Sequence, residues 1–186
     1  QYDGILIRSA TKLTSNILAD CKNLKVVGRA GVGVDNVDLE TATKNKILVM
    51  NTPLGNLEAT AELTIGLMFS LYRHIHLANQ STHDGKWEKS KFMGTELKGK
   101  TLGIVGFGNI GQRVAEMASV IGMNIITNSN SASNEDLSKL GASKVSTEQL
   151  LTDSDIVSLH TKLNDDTKNM LNKTSIATMK SSAVII

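Results

Sequence analysis

Thr101-Leu102-Gly103-Ile104-Val105-Gly106-Phe107-Gly108-Asn109-Ile110-Gly111 is the stretch that decides the fold. It opens as an apolar, strand-sized run, passes through a turn rich in glycine, and leads into residues 110–121, where apolar side chains recur at helical spacing. A second apolar run, 124–127, follows, so the segment reads as strand, tight turn, helix, strand. The same alternation continues on both sides. Toward the N-terminus, strands are expected over 2–8, 25–28 and 47–51, with helices over 14–19 and 39–45. Toward the C-terminus, helices are expected over 134–140, 147–151 and 174–179, with strands over 155–160 and 183–186. Repeated β-α units with Ile/Val/Leu-rich strands predict an α/β protein with parallel, doubly wound sheets covered by helices on both faces.

Pro53, the single proline, interrupts this rhythm and marks a boundary between a first domain over 1–52 and a second over 53–186. A long helix is expected over about 56–83, with Asn56 as its N-cap, Glu58 and Glu62 in its first turns and Gly85 just past its end. Leu57, Ala61, Ile65, Met68, Tyr72 and Ile75 form one stripe, and Leu63, Leu67 and Leu71 cover a second face. A helix apolar on two faces is buried on two sides. It reads either as a bridge between domains with a dimer surface, or as an ordinary core helix. Residues 84–100 and 128–134 read as loops.

Bulk properties exclude several classes. Hydrophobic residues make up 40% and charged residues 20%, enough for a packed core. The net charge is +2 without any block of like charge, so no nucleic-acid partner is expected. No apolar run is long enough to span a bilayer, so no membrane partner is expected either. One cysteine, Cys21, and no secretory-type leader point to a reducing, cytoplasmic setting. Gln1 in place of Met and a closing apolar run at Ile185-Ile186 suggest a chain cut at both ends.

The glycine turn has a chemical reading. Gly106 permits the tight bend, Gly108 lets backbone approach a diphosphate, and Gly111 lets the helix sit close to its strand. The amides near Asn109 and Ile110 then face phosphate oxygens at the positive end of the helix dipole. In this strand–turn–helix context the motif predicts a Rossmann NAD(P)-binding domain. One element departs from the pattern. The second strand should end in an acid that bonds the ribose hydroxyls, and Ser129 stands there instead. Serine does not repel a 2′-phosphate, yet no arginine is close by. NAD is expected, with NADP left open.

Several other segments carry a family resemblance: Ile7-Arg8-Ser9-Ala10-Thr11, the run from Val27 through Gly28-Arg29-Ala30-Gly31-Val32-Gly33 to Asp38, Val49-Met50-Asn51-Thr52-Pro53, Gly55-Asn56, Asp84-Gly85-Lys86-Trp87-Glu88, and residues 91–103. Together they resemble the D-isomer-specific 2-hydroxyacid dehydrogenases, and within them the phosphoglycerate-oxidising group. The resemblance implies a flavodoxin-like substrate domain, here partial, ahead of the Rossmann domain. It implies hydride transfer between NAD(P) and a D-2-hydroxy acid, 3-phospho-D-glycerate above all, in a homo-oligomer of at least two chains. It implies substrate contacts from Arg8, Arg29, Gly31, Gly33 and Asn56. It implies cofactor contacts from Val32, Ser129, His160 and Thr161 beside Gly106, Gly108, Asn109, Ile110 and Gly111. Asn109 stands where the phosphoglycerate group often has Arg, and Lys162 where Pro is usual. The family's catalytic Arg, Glu and His are expected beyond Ile186, so none is assigned here. The same scaffold also serves NAD-sensing corepressors and inactive paralogues.

The remaining candidates have plainer readings. His74 and His76 point to different faces of a helix and make no metal pair, so no metal is expected. His83 suits a helix end. His160 has no neighbour in sequence that orients it, and Cys21 lacks the pattern of a nucleophile.

Overall fold

The computed structural model describes residues 2–129 and 132–186. Gln1, Asn130 and Ser131 lie outside the described residues, so the loop expected over 128–134 is met only at its two ends. The chain divides into two compact units, Gln1–Leu57 and Glu58–Ile186. The division falls after the turn that follows Pro53, not before it. That turn belongs to the first unit: the Thr52 amide donates to Gly31 O (3.1 Å), and the Gly55 amide to Thr52 O (3.1 Å).

The first unit is a parallel sheet of β1 (Gly4–Ile7), β2 (Val26–Arg29) and β3 (Leu48–Asn51), in that spatial order. Crossovers α1 (Ser15–Asp20) and α2 (Leu39–Lys44) link the strands. Asp38 caps α2 by accepting the Thr41 amide at 2.8 Å. Side chains alternate along a strand. Ile5, Ile7, Val27 and Val49 point one way and join Leu13, Leu18, Leu24, Val37, Ala42 and Ile47 in one core. Leu6, Leu48 and Met50 alternate with them and are 89%, 60% and 55% exposed.

The second unit is a five-stranded parallel sheet in the order β6-β5-β4-β7-β8. Its strands are β4 (Thr101–Val105), β5 (Asn124–Thr127), β6 (Ala142–Lys144), β7 (Ile156–Leu159) and β8 (Val184–Ile185). The chain starts in the middle, runs to one edge, then returns past β4 to the other. The order therefore reverses between β4 and β7, the crevice where ligands of such sheets bind. Both faces are covered. Leu102, Ile104, Ile125 and Ile156 pack with α3 (Leu57–Tyr72), α5 (Asn109–Ile121) and α6 (Asn134–Lys139). Val105, Ile126 and Val157 pack with Leu150 and Leu151 of α7 (Thr147–Asp153) and with Met179, just past α8 (Lys173–Ala177). Gly103 lies under α7, where a Cβ would meet Ser154 Oγ and Leu150.

Three features were not legible in the sequence. The helix expected over 56–83 is two helices, α3 and α4 (Ile75–His83), broken at His74 in the left-handed region (φ 52°). No proline or glycine marks the break. Its cause is distant: the Thr95 amide takes the Tyr72 carbonyl at 2.8 Å, and Gly94 comes so close that a Cβ would collide with the Tyr72 and Arg73 backbone. Ala61, Ile65, Met68 and Tyr72 form the buried stripe as expected, but Ile75, past the break, is half exposed. Leu63, Leu67 and Leu71 lie on an exposed face of α3, not a buried one. The strand β6, short and polar, falls between two expected helices where the sequence predicts no element, and the connection expected over 84–100 contains a 3-10 turn at Lys89–Phe92.

At the amino edge of the second sheet, Asp155 ties three elements together. Its carboxylate accepts from the Thr101 amide (2.8 Å) and Lys180 Nζ (3.1 Å), and its carbonyl accepts from Tyr72 Oη (3.0 Å). Burial pushes this carboxyl up, but the amide and the ammonium outweigh burial and hold it below the usual carboxylate range.

Candidate functional site

Three loops leave the carboxyl edge of the second sheet side by side. They follow β4, β5 and β7, and together with the first turn of α5 they carry eight of the nine residues read as cofactor contacts. The turn after β4 is fixed by its glycines. Gly106 has φ 89°, and a Cβ there would lie 2.6 Å from His160 O and 3.0 Å from Thr161 Cα. The bend and the close approach of the β7 loop therefore both require glycine. Phe107, 2% exposed, plugs the turn into the core, and Gln112 Nε2 ties it back by donating to Phe107 O at 3.1 Å. Gly111 sits against Gly106 O and Ile104, which brings α5 hard onto its strand.

Gly108 differs from both. A Cβ on it would meet nothing within 4 Å, so its space is open. It is the N-cap of α5, and no side chain caps that end. The first amides of a 13-residue helix, at Asn109, Ile110 and Gly111, thus have no capping side chain at the positive end of its dipole, and the space beside the N-cap Gly108 is open. The first intrahelical bond is from the Gln112 amide to Gly108 O (2.9 Å). An anion, a diphosphate above all, fits a cradle of this form.

Ser129 closes the β5 side. It is almost wholly buried, and its amide donates to Thr127 Oγ1 at 3.3 Å. Thr127 Oγ1 in turn donates to Ile104 O at 2.7 Å, which locks the end of β5 to β4. His160 and Thr161 close the β7 side. His160 Nε2 is 2.8 Å from Oγ of the fully buried Ser158, and burial lowers the imidazole pKa from its ordinary value. Ser158 was missed in the sequence. The signal was there: positions i and i+2 of a strand share a face.

Val32, the ninth cofactor residue, lies in the first unit with all five residues read as substrate contacts. Arg8 follows β1 and is exposed; Arg29 ends β2, paired in register with Ile7 and Asn51. Neither arginine forms an ion pair among the described residues. Arg29 Nε is buried without a hydrogen-bond partner among them. The guanidinium of Arg29 folds over Gly31, whose φ of 153° suits glycine. The loop Ala30–Gly33 is pinned by Ala30 N to Ile7 O (2.9 Å) and by Asn51 Nδ2 to Val32 O (2.8 Å). Asn56 is exposed in the turn just before α3. Among the described residues no group of acidic, Cys and His side chains could hold a metal, and no helix is long and apolar enough to cross a membrane.

The chain is similar to known proteins along its whole length. The chain is 43% identical over 185 residues to the D-3-phosphoglycerate dehydrogenase of Bacillus subtilis, covering 100% of this chain and 35% of that protein. It is 44% identical over 186 residues to the hydroxypyruvate reductase of Thermotoga maritima, covering 100% of this chain and 60% of that one. It thus spans about a third of the length of the first of these relatives. Among solved structures, the D-lactate dehydrogenase of Aquifex aeolicus complexed with NAD and lactic acid superposes with a TM-score of 0.91 at 30% identity. That match covers 100% of this chain and 56% of the other. The family model for the D-isomer specific 2-hydroxyacid dehydrogenase, NAD binding domain, matches residues 65–186. The glycine turn after β4 lies within the matched NAD binding domain, and the chain belongs to the D-isomer specific 2-hydroxyacid dehydrogenases.

Proposed function

We propose that the protein carrying this chain is an NAD-dependent oxidoreductase that moves a hydride between the cofactor and carbon 2 of a D-2-hydroxy acid, with 3-phospho-D-glycerate as its substrate. The observation that carries this reading is the open space over Gly108 at the uncapped start of α5. There the amides of Asn109, Ile110 and Gly111 donate to the cofactor's diphosphate. Gly106 and Gly111 hold the turn that presents them, Ser129 lies toward the ribose, and His160 and Thr161 line the opposite wall. The bound nicotinamide supplies the hydride chemistry; this chain's residues position it. Ser129 carries no charge, so the preference for NAD over NADP is modest.

Arg8 and Arg29 support the phosphorylated substrate. Both stand at the carboxyl ends of strands, and neither is engaged by a carboxylate among the described residues. A guanidinium binds carboxylate or phosphate through paired, charge-assisted bonds. The amides of the pinned Gly31–Gly33 loop would serve the substrate carboxylate. The 44% identity to a hydroxypyruvate reductase favours a second reading, in which the substrate is the unphosphorylated hydroxy acid. The two separate in one experiment on the full-length protein: NADH oxidation with 3-phosphohydroxypyruvate and with hydroxypyruvate, in wild type and in Arg29→Ala. We expect the phosphorylated substrate to win, and Arg29→Ala to lower its kcat/KM by about 100-fold, a loss of the size a buried charge-assisted contact carries. Equal loss on both substrates would favour the second reading; absence of NADH binding would end both.

The exposed Leu63, Leu67 and Leu71 stripe of α3 is proposed as a surface buried between two copies of a cytoplasmic homodimer. Leu67→Glu is expected to convert dimer to monomer in sedimentation of the full-length protein. An unchanged dimer would place the interface elsewhere.

A further inference from the structure

We infer that Ser158 is a positioning residue: its buried hydroxyl donates to His160 Nε2 and fixes the imidazole as the neutral tautomer with hydrogen on Nδ1, a donor to the oxygens of the bound dinucleotide. The inference rests on the nucleotide site proposed above and adds to it a residue and a protonation state.

The argument starts from the strand. Ile156, Ser158 and His160 share one face of β7 and its continuation. Ile156 is fully buried in the core under α3 and α5, and Ser158, in register with Ile104, is fully buried as well. His160 emerges at the carboxyl edge, half-buried, with its backbone against Gly106. The Ser158 Oγ to His160 Nε2 distance is 2.8 Å, and Ser158 Oγ has no second partner among the described residues.

Two arrangements of hydrogen satisfy that distance. If Nε2–H donated to Ser158, the serine's own hydrogen would be left in the core with no acceptor, the costlier outcome for a buried hydroxyl. If Ser158 donates instead, every buried polar atom is served: the hydroxyl has its acceptor, Nε2 its donor, and the ring proton sits on Nδ1. Nδ1 bonds nothing among the described residues and is not counted among the buried unpartnered atoms, so it stays accessible. A protonated imidazole would again strand the hydroxyl hydrogen, so the same contact that selects the tautomer opposes the cation. The result is a directed, uncharged N–H on a residue whose backbone lies against Gly106.

The test uses the full-length protein labelled with nitrogen-15 at histidine, with His160 assigned by the signal lost in His160→Gln. Long-range proton–nitrogen spectra should show an unprotonated, pyridine-type Nε2 and a protonated Nδ1 in the free protein. NADH should shift the Nδ1–H signal. Ser158→Ala should mix the tautomers and weaken NADH by about fivefold, the size of one neutral hydrogen bond, while Ser158→Thr, which restores a hydroxyl, should recover both. A protonated Nε2 in the wild type overturns the proposal. So does a Ser158→Ala protein with unchanged spectrum, or bound NADH that leaves Nδ1–H unmoved. Should Ser158→Ala fail to fold, the wild-type and Ser158→Thr spectra still decide the tautomer. The tautomer is read without ligand, so wild-type protein that shows it yet binds no NADH overturns the nucleotide site and the donor role, and leaves the Ser158 contact intact.

Discussion

The two sheets of this chain obey the same rules and end up differently. Each is parallel, each alternates its side chains, and each sends glycine-bearing loops from its carboxyl edge. In the second sheet both faces are buried, one under α3, α5 and α6, the other under α7 and the segment around α8. In the first, α1 and α2 cover one face, and Leu6, Leu48 and Met50 stand exposed on the other. A parallel sheet built for two buried faces reads as a near-continuous apolar run whether or not both covers are present. Apolar sequence thus reports what a strand is made for, and packing reports what these residues supply.

The glycines show the same contrast. Gly106 is hemmed in by the backbone of His160 and Thr161, which cannot move without opening the β4–β7 crevice. Gly31 is hemmed in by the guanidinium of Arg29, the free end of a flexible side chain. The largest effect we expect comes from this difference. Gly106→Val, with both a forbidden φ and a backbone collision, should weaken NADH binding by more than about 100-fold, or unfold the turn outright. Calorimetric titration with NADH, alongside circular dichroism to confirm folding, measures it. A tolerated Gly106→Val would break the claim that the two loops are constrained by different kinds of neighbour.

A second substitution pair addresses the sheets themselves. Ile104→Ala, fully buried in the second unit, should destabilise it by about 2–5 kcal/mol. Leu6→Ala, on the bare face of the first, should cost under about 0.5 kcal/mol in this chain. Hydrogen exchange resolved by unit reads both. Comparable losses would mean that the Leu6 face is covered after all.

The smallest expected effect is a pH dependence confined to the second unit. Asp155 titrates below its ordinary value when folded, so it binds its proton more readily unfolded. Its contribution to stability is present above the unfolded carboxyl value of about 3.9 and fades as pH falls through the lower folded value. Asp155→Asn should therefore flatten the fall in melting temperature of this unit between about pH 5 and about pH 2. An unchanged acid limb would show that the Thr101 and Lys180 contacts do not hold the carboxylate.

The local form of the candidate site could be read from residue order alone, because strand, turn and helix follow one another in the chain. Gly106, Gly108 and Gly111 differ in what a Cβ would meet, and each role follows from strand, turn and helix lying consecutively in the chain. The arginines were legible as strand-end residues, but the buried, unpartnered Nε of Arg29 was not. Ser158 was legible only as a neighbour of His160 on one strand face; its burial and its bond to the imidazole belong to the folded structure.

What the sequence by itself determined was every strand with an apolar run, the α/β class, and the glycine turn, since period, propensity and backbone freedom act over a few residues. What the tertiary structure decided was the strand order that puts β4 beside β7, the edge strand β6, the break at His74 and the bond from Ser158 to His160. Each of these depends on a group distant in sequence or on a shared face: Thr95 takes a carbonyl from Tyr72, β6 exists only by pairing with β5, and a hydroxyl in the core finds its acceptor at the sheet's rim. Spacing along a chain encodes which hydrogen-bonding groups a segment has; only the folded arrangement settles where the unpaired ones go.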